Sequence, residues 1–223
     1  MFLSRVEIDR FNRRTIMDLS HLGAYHGWVE SCFDEDKENR SRKLWRIDNI
    51  GNKEYLLILS KQKPIIEVLE KYGVKGTADS KNYEKLLDSI EDGMVAKFKV
   101  ELNAAKSMPG NKAKRKRGSI RPITFEESYE FFNEKALQNG FEVLGDLFIK
   151  DKSVKKMKKR SESVSVSLNS IIYEGALKVT DKDMFKKALV SGIGKKKAYG
   201  FGLLSIAPMQ SEWKQSLFKN KMA

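Results

Sequence analysis

Apolar and polar residues alternate at the start of the chain, which is typical of a strand with one buried face. In the segment FLSRVEID, Phe2 and Val6 share one face, and Arg5 and Glu7 lie on the other. The same alternation returns in VAKFKVEL, residues 95–102. The repetition predicts a chain of two halves, each opened by a strand of the same kind.

The first half continues with further predicted elements in a fixed order. The ranges are a helix at 18–33, strands at 44–48 and 54–60, and a short helix at 63–71, followed by 81–90, whose pattern fits a strand or a helix. Strand, helix, strand, strand, helix is most of a split βαβ unit. The first half is therefore predicted to be a ferredoxin-like (RRM-like) domain.

The second half repeats that order. Thr124 and Glu127 have the spacing of a capping box, so a helix is predicted to begin there and to end at Gly140. The other predicted elements are strands at 141–150, 163–179 and 201–207, a helix at 181–190 capped by Asp181, and a loop at 107–121. The predicted fold class is α+β, with two tandem ferredoxin-like domains that contain antiparallel sheets. Their predicted ranges are 1–92 and 93–208, with a C-terminal tail at 209–223.

The formal net charge of +13 is unevenly distributed. Residues 1–95 carry 16 Lys+Arg and 17 Asp+Glu, whereas residues 96–223 carry 27 and 13. An excess confined to one half predicts a polyanionic partner, and nucleic acid is the leading class. A membrane surface is the rival, but no basic amphipathic helix with an exposed aromatic face supports it. The apolar runs are too short to span a bilayer, so a soluble, cytoplasmic protein is expected.

Few residues suit metal or nucleophilic chemistry. The single cysteine, Cys32, has no partner for a disulfide or a zinc site, and we expect no metal and no cofactor. The two histidines, His21 and His26, are separated by about 140° around a helix, so at most one is expected to act. The acidic residues 34–36 lack the spacing of a calcium loop and are predicted to be a solvated loop.

Three basic runs mark the second half, and together they predict contact with RNA. The run at 150–160 lies between two predicted strands, where a hairpin could project positive charge into a groove of a duplex. The candidate RNA-binding side chains in the three runs are Lys106, Arg115, Lys116, Arg117, Lys155, Lys156, Lys158, Lys159, Arg160, Lys195, Lys196 and Lys197.

The segment GIGKKKAYGFG, residues 192–202, combines four glycines with three lysines and lies between a predicted helix and the last strand. It has neither the spacing of a Walker loop nor the flanking elements of a dinucleotide fingerprint. Gly192 and Gly194 could permit close approach of a phosphate to the backbone. The alternative is a conformationally demanding turn that binds no ligand.

Several blocks of the sequence resemble one family. The blocks MFLSRVEIDRFNRR, HLGAYHGWVESCF, FKVELNAAK, YEGALKVTD and AYGFGLLSIAP, spread from residue 1 to about 208, are similar to CasE, the guide-RNA endoribonuclease of type I-E CRISPR systems. The resemblance implies two tandem ferredoxin-like domains and recognition of the hairpin in a CRISPR repeat transcript. It also implies one cut at the base of the stem and assembly with the other subunits of Cascade.

The resemblance assigns catalysis to His26, because the family pattern HxxVxxxF occurs here as HGWVESCF. Gly23 stands where several relatives carry a tyrosine. Without a metal, the RNA 2′-hydroxyl would be the nucleophile and His26 a general base or acid. A non-catalytic RRM-like RNA-binding subunit and a metal-dependent nuclease are the alternatives.

Overall fold

The structure is a computed structural model that describes residues 1–36, 38–109, 119–158 and 165–209. The first half contains one four-stranded antiparallel sheet in the order β2-β3-β1-β4. Its strands are β1 (Phe2–Glu7), β2 (Leu44–Ile50), β3 (Lys53–Ser60) and β4 (Asp79–Asn82). Both strands predicted on either side of Gly51 are confirmed.

The predicted single helix at 18–33 is wrong, because two helices occupy this region. The helices of the first half are α1 (Arg13–Asp18), α2 (Leu22–Ser31), α3 (Ile66–Leu69) and α4 (Glu84–Asp88). Asn12 caps α1 and His21 caps α2, so each helix has its own start signal and the chain breaks between them. The predicted helix at 63–71 is reduced to α3, and 81–90 supplies both the end of β4 and the whole of α4.

The second half has a sheet of the same topology, in the order β10-β5-β9-β8. Its elements are β5 (Val95–Asn103), β6 (Ala105–Met108), β7 (Ser119–Pro122), α5 (Glu126–Leu137), β8 (Phe141–Lys158), β9 (Ser165–Val179), α6 (Lys182–Ser191) and β10 (Ser205–Pro208). The pair β6 and β7 is an insertion, so β5, β8, β9 and β10 are the first to fourth strands of the second sheet. Both sheets then have the spatial order fourth, first, third, second: β4-β1-β3-β2 in one and β10-β5-β9-β8 in the other. The predicted tandem ferredoxin-like fold is thus confirmed.

Three details of the second half differ from or sharpen the prediction. The predicted loop at 107–121 is wrong at both ends, because β6 and β7 pair there. The last strand begins at Ser205 rather than at residue 201, since Gly202 has a φ of +88° and its N–H donates to the Glu101 carbonyl oxygen. The capping box is confirmed by reciprocal hydrogen bonds between Thr124 and Glu127.

The two halves are joined through Arg46 of β2, whose side chain is buried. Its guanidinium pairs with Asp48 and donates to the carbonyl oxygens of Lys99 and Leu203 and to Ser205 Oγ. Five charge-assisted hydrogen bonds compensate for the cost of burying this charge. The division at residues 92 and 93 stays a prediction.

Within the described ranges, no helix combines the length and the apolar character needed to cross a membrane.

Candidate active site

One histidine caps helix α2 and the other lies within it, and their contacts differ. His21 is the N-cap, and its Nδ1 accepts a hydrogen bond from the backbone N–H of Ala24 at 3.2 Å. The lone pair of that nitrogen is therefore used to satisfy the first turn of the helix. His26 lies in the second turn with 34% of its side chain exposed. His21 thus has a structural contact and also lines a groove with Lys155 and Lys156, whereas His26 is partly exposed on the helix surface.

The glycine-rich loop, residues 192–202, connects α6 to β10 and packs against β2. The indole Nε1 of Trp45 donates a hydrogen bond to the Ala198 carbonyl oxygen at 3.1 Å. Gly200 has a φ of +86°, and a Cβ at this position would lie 2.7 Å from the Trp45 ring. A Cβ at Gly192 would similarly lie 2.8 Å from a methyl group of Leu44. Packing against β2 thus requires glycine at these two positions, whether or not a phosphate binds.

Residues 194–199 of this loop are at least partly exposed to solvent. Gly194, Lys195 and Lys196 are exposed, and Lys196 adopts a left-handed backbone with a φ of 65°. Lys197 is less exposed and is hydrogen-bonded within the protein, because its Nζ donates to the Ser191 carbonyl oxygen at 2.8 Å. Burial and a neighbouring arginine lower the pKa of Lys197. Two of the three predicted lysines therefore point charge into solvent, and the third is partly engaged.

His26 lies where α2 meets this loop. Its ring centroid is 5.7 Å from that of Tyr199, and its Nδ1 is 3.9 Å from Glu30 Oε1. Burial is the largest influence on the pKa of His26 and lowers it, the Glu30 carboxylate raises it, and the positive charges of Arg40 and Lys43 lower it further. The net lowering favours a neutral imidazole near neutral pH, which can accept a proton.

An open groove of about 570 Å³ lies between the glycine-rich loop and the segment that precedes β2. His26 does not line it, but two of its lining residues, Glu30 and Tyr199, are neighbours of the His26 ring. The predicted lysines Lys195, Lys196 and Lys197 line this groove, whereas its other cations, Arg40, Arg42 and Lys43, were not among the predicted residues. The lining residues are Glu30, Arg40, Ser41, Arg42, Lys43, Gly194, Lys195, Lys196, Lys197, Ala198 and Tyr199. The available signal was the basic run at 40–43, which directly follows the acidic loop and balances its charge.

The prediction that residues 34–36 form a solvated loop is wrong for Glu35. Its carboxylate accepts hydrogen bonds from Lys43 Nζ at 2.5 Å and from the backbone N–H of Ser41 at 2.9 Å. Burial alone would raise the pKa of Glu35, but the hydrogen bonds from Lys43 and Ser41 outweigh it and lower the pKa to about 2. Asp34 and Asp36 are exposed, as predicted. The acidic residue in the middle therefore anchors the groove wall.

The basic insert at 150–160 continues β8 as far as Lys158, paired with β9. Lys156 is exposed, whereas Lys155 Nζ lies 2.5 Å from Glu101 Oε1. The Glu101 side chain is only 2% exposed, so this ion pair also compensates a buried carboxylate. Within the part of the insert that the structure describes, Lys156 is thus better placed than Lys155 to meet an outside phosphate.

The remaining predicted residues contribute less to this region. Lys106 Nζ lies 3.4 Å from Glu127, which also binds Arg121, so its charge is already paired. The side chain of Lys158 is outside the described part of the structure, as are five complete residues. These five are Arg115, Lys116, Arg117, Lys159 and Arg160.

Helix α2 lies between two grooves that contain lysine side chains. Its C-terminal part faces the glycine-rich loop at His26, and its N-terminal part lines a second groove of about 360 Å³ with Lys155 and Lys156. Tyr25 belongs to this second groove, where its hydroxyl accepts a hydrogen bond from Arg10 at 3.0 Å. Among the described residues, no three His, Cys, Asp or Glu side chains converge on a possible metal position.

Comparison with known proteins gives the same fold over almost the whole chain. The CRISPR-associated endoribonuclease Cse3 of Thermus thermophilus is 24% identical over 222 residues, which are 93% of this chain and all of that protein. The structure of the CRISPR endoribonuclease Cse3 bound to a 19-nucleotide RNA superposes with a TM-score of 0.78. The identity there is 21%, and the match covers 93% of this chain and all of the other.

A chain of a CRISPR RNA-guided surveillance complex in a pre-nicking state also matches. Its TM-score is 0.66 and its identity 21%, with 94% of this chain and all of that chain covered. The family model described as CRISPR associated protein matches residues 1–208, which include both sheets, the α2 histidines and the glycine-rich loop. The resemblance found in the sequence is therefore confirmed, and this chain belongs to the CRISPR-associated protein family.

Proposed function

We propose that this protein is a metal-independent endoribonuclease that cuts CRISPR precursor RNA once, at the base of the repeat hairpin. The observation that carries the proposal is the position of His26, about one-third exposed, against Tyr199 and Glu30 of a groove whose walls carry Arg40, Arg42, Lys195 and Lys196. A proton-transfer group next to a cluster of cations is what cleavage of a phosphodiester requires.

The named relatives support the substrate class. The curated relative is named a CRISPR-associated endoribonuclease, and the superposed structure holds a 19-nucleotide RNA. The match to a chain of an RNA-guided surveillance complex supports retention of the mature guide RNA in Cascade, beside other subunits. On this proposal the protein works in the cytoplasm, where the precursor RNA is made.

The chemistry follows from the groups available at the groove. The 2′-hydroxyl before the cut attacks its own phosphorus, and His26 Nε2 accepts the first proton or supplies the last one to the departing 5′-oxygen. Lys195 and Lys196 stabilise the additional negative charge of the phosphorane. The products are a 2′,3′-cyclic phosphate and a 5′-hydroxyl, and DNA is not a substrate because it has no 2′-hydroxyl.

Binding of the stem is assigned to the basic surfaces on both sides of α2. Lys156 at the β8–β9 pair and the two exposed lysines of the glycine-rich loop are the proposed phosphate contacts, which their exposure supports. The predicted residues of the insert and of the run at 106–117 that lie outside the described ranges remain part of the proposal. Lys155 and Lys106 are proposed only as secondary contacts, since both have acidic partners within the protein.

The test is incubation of the protein with a hairpin repeat RNA in EDTA, followed by analysis of the product ends. We expect one cut with 2′,3′-cyclic phosphate and 5′-hydroxyl ends at full rate. Loss of cleavage in EDTA with recovery in Mg²⁺ would identify a metal-dependent nuclease instead. Tight binding without cleavage in either condition would identify a non-catalytic RNA-binding subunit.

A second test uses the same RNA with a 2′-deoxy sugar at the nucleotide before the cut. We expect normal binding and no cleavage. Cleavage of this RNA would rule out attack by the 2′-hydroxyl.

A further inference from the structure

A series of charged side chains leads from His26 into the protein. Glu30 Oε1 is 3.9 Å from His26 Nδ1, and its other oxygen accepts a hydrogen bond from Lys43 Nζ at 3.1 Å. Lys43 also donates to Glu35 at 2.5 Å, and Glu35 is fixed in turn by Ser41. The imidazole is therefore connected to the segment before β2 through Glu30 and two successive ion pairs, Glu30–Lys43 and Lys43–Glu35.

The inner part of this series is shielded from solvent. The side chain of Lys43 is 1% exposed, that of Glu35 8% and that of Glu30 16%. Ionic contacts this well buried are screened little by salt. The carboxylates of Glu30 and Glu35 are balanced by Lys43 and by Arg40, which is 3.8 Å from Glu30, and Glu30 is the carboxylate that faces His26.

We propose that Glu30 is a positioning residue for His26: it holds the Nδ1 side of the imidazole and thereby presents Nε2 to the groove. Lys43 and Glu35 fix the Glu30 carboxylate for this purpose. The inference rests on the proposed function, in which His26 transfers a proton. At 3.9 Å the Glu30 carboxylate acts on the ring by its charge rather than by a direct hydrogen bond: it attracts the Nδ1 side and stabilises the imidazolium when it forms.

The other groups around His26 do not replace Glu30. Tyr199 packs against the ring from the glycine-rich loop, and Arg40 lies 3.8 Å from Glu30 Oε2. Arg40 and Lys43 are cations that disfavour a charged imidazole, whereas the Glu30 carboxylate favours it. Removing the charge of Glu30 should therefore expose His26 to the unopposed effect of burial and of these two cations.

The experiment compares Glu30→Gln with the unaltered protein in two measurements. The first is an NMR titration of the histidine ring signals without RNA, in which a His21→Ala variant assigns the two histidines. The second is the pH profile of single-turnover cleavage of the hairpin RNA. We expect the pKa of His26 to fall, the profile to move toward lower pH with it, and the rate at neutral pH to drop about 10-fold, less than for loss of a general acid or base.

Two further variants make the test specific. Glu134→Gln, an exposed glutamate on α5, is the matched control and should change neither measurement. Glu30→Asp keeps the charge, so its cleavage rate and its His26 pKa should lie between those of Glu30→Gln and those of the unaltered protein. If Glu30→Gln fails to fold, Glu30→Asp takes its place in both measurements. In that case the shorter side chain should move the pKa of His26 downward, in the same direction.

The outcomes separate this inference from the proposed function. A folded Glu30→Gln protein with an unchanged His26 titration would overturn the positioning role, however well the protein cleaves. A lowered His26 pKa with an unchanged pH profile, in a protein that still needs His26, would overturn it as well. If His26→Ala cleaves normally, the proposed function fails, and the NMR titration still reports whether Glu30 acts on His26.

Discussion

The indole Nε1 of Trp45 donates a hydrogen bond to the carbonyl oxygen of Ala198, 153 positions further along the chain. Trp45 belongs to β2 in the first sheet, and Ala198 belongs to the glycine-rich loop that precedes the last strand of the second. This contact brings the lysines of the loop to the helix that carries His26. The candidate active site therefore exists only when both halves are folded and joined.

The first prediction concerns His26 itself. His26→Ala should lower the cleavage rate by at least about 10²-fold, as expected for loss of a general acid or base, while affinity for the hairpin RNA persists. Single-turnover cleavage and a binding titration measure the two effects. His21→Ala is the internal control and should reduce stability by about 1 kcal/mol through loss of the N-cap, with little effect on the rate of folded protein. Near-normal cleavage by His26→Ala would remove this residue from the mechanism.

The second prediction concerns the packing of the glycine-rich loop. Gly200→Ala should destabilise the protein by about 2–4 kcal/mol, because its positive φ disfavours a side chain and the added Cβ meets the Trp45 ring. Cleavage should fall as well, since the lysines are displaced. Urea unfolding and single-turnover cleavage are the measurements.

The matched control for the loop is Gly27→Ala, on α2 next to His26. A Cβ at Gly27 would meet nothing within 4 Å, and alanine favours a helix, so stability should rise by about 0.5–1 kcal/mol. Equal free energies of unfolding for Gly200→Ala and Gly27→Ala would contradict the inference that Gly200 is required for packing against Trp45.

The third prediction separates two adjacent lysines of β8. Lys156→Gln should leave stability unchanged, weaken binding of the hairpin RNA, and reduce the log–log salt slope by about one unit, as for one lost phosphate contact. Lys155→Gln should instead destabilise the fold by about 1–3 kcal/mol, because the buried Glu101 carboxylate loses its cationic partner and keeps the hydrogen bond from Ser170. Salt titrations of affinity and urea unfolding distinguish the two effects. The same salt slope for both variants would show that Lys155 also contacts RNA.

The fourth prediction concerns pH and Glu35. Because its folded-state pKa is lowered from 4.5 to about 2, the ionised carboxylate stabilises the folded protein above pH 4.5, and this stabilisation disappears as the pH falls toward 2. Glu35→Gln should therefore lower the free energy of unfolding at pH 7, and the difference from the unaltered protein should shrink between pH 4.5 and 2. Urea unfolding at several pH values measures it. Asp34→Asn, at an exposed neighbouring carboxylate, should have little effect; a pH-independent penalty for Glu35→Gln would contradict the ionic role.

The sequence by itself determined the fold class and the central residue of the site. Alternation in Phe2–Glu7 and in 95–102 predicted the first strand of each sheet, since a half-buried strand needs a two-residue period. Asp181, Thr124 and Glu127 predicted helix starts because capping is a local interaction. The segment HGWVESCF singled out His26, although its catalytic role stays a prediction.

Tertiary structure decided what the charged side chains near His26 contact. Glu35 is predicted from the sequence to lie in a solvated loop, yet it pairs with Lys43 because the loop folds against α2. Likewise, Lys155 and Lys156 are indistinguishable by composition, but the two faces of β8 turn one toward Glu101 and the other toward solvent. Local patterns carry the period of a helix or strand, whereas the partner of a charge depends on which distant segments pack beside it.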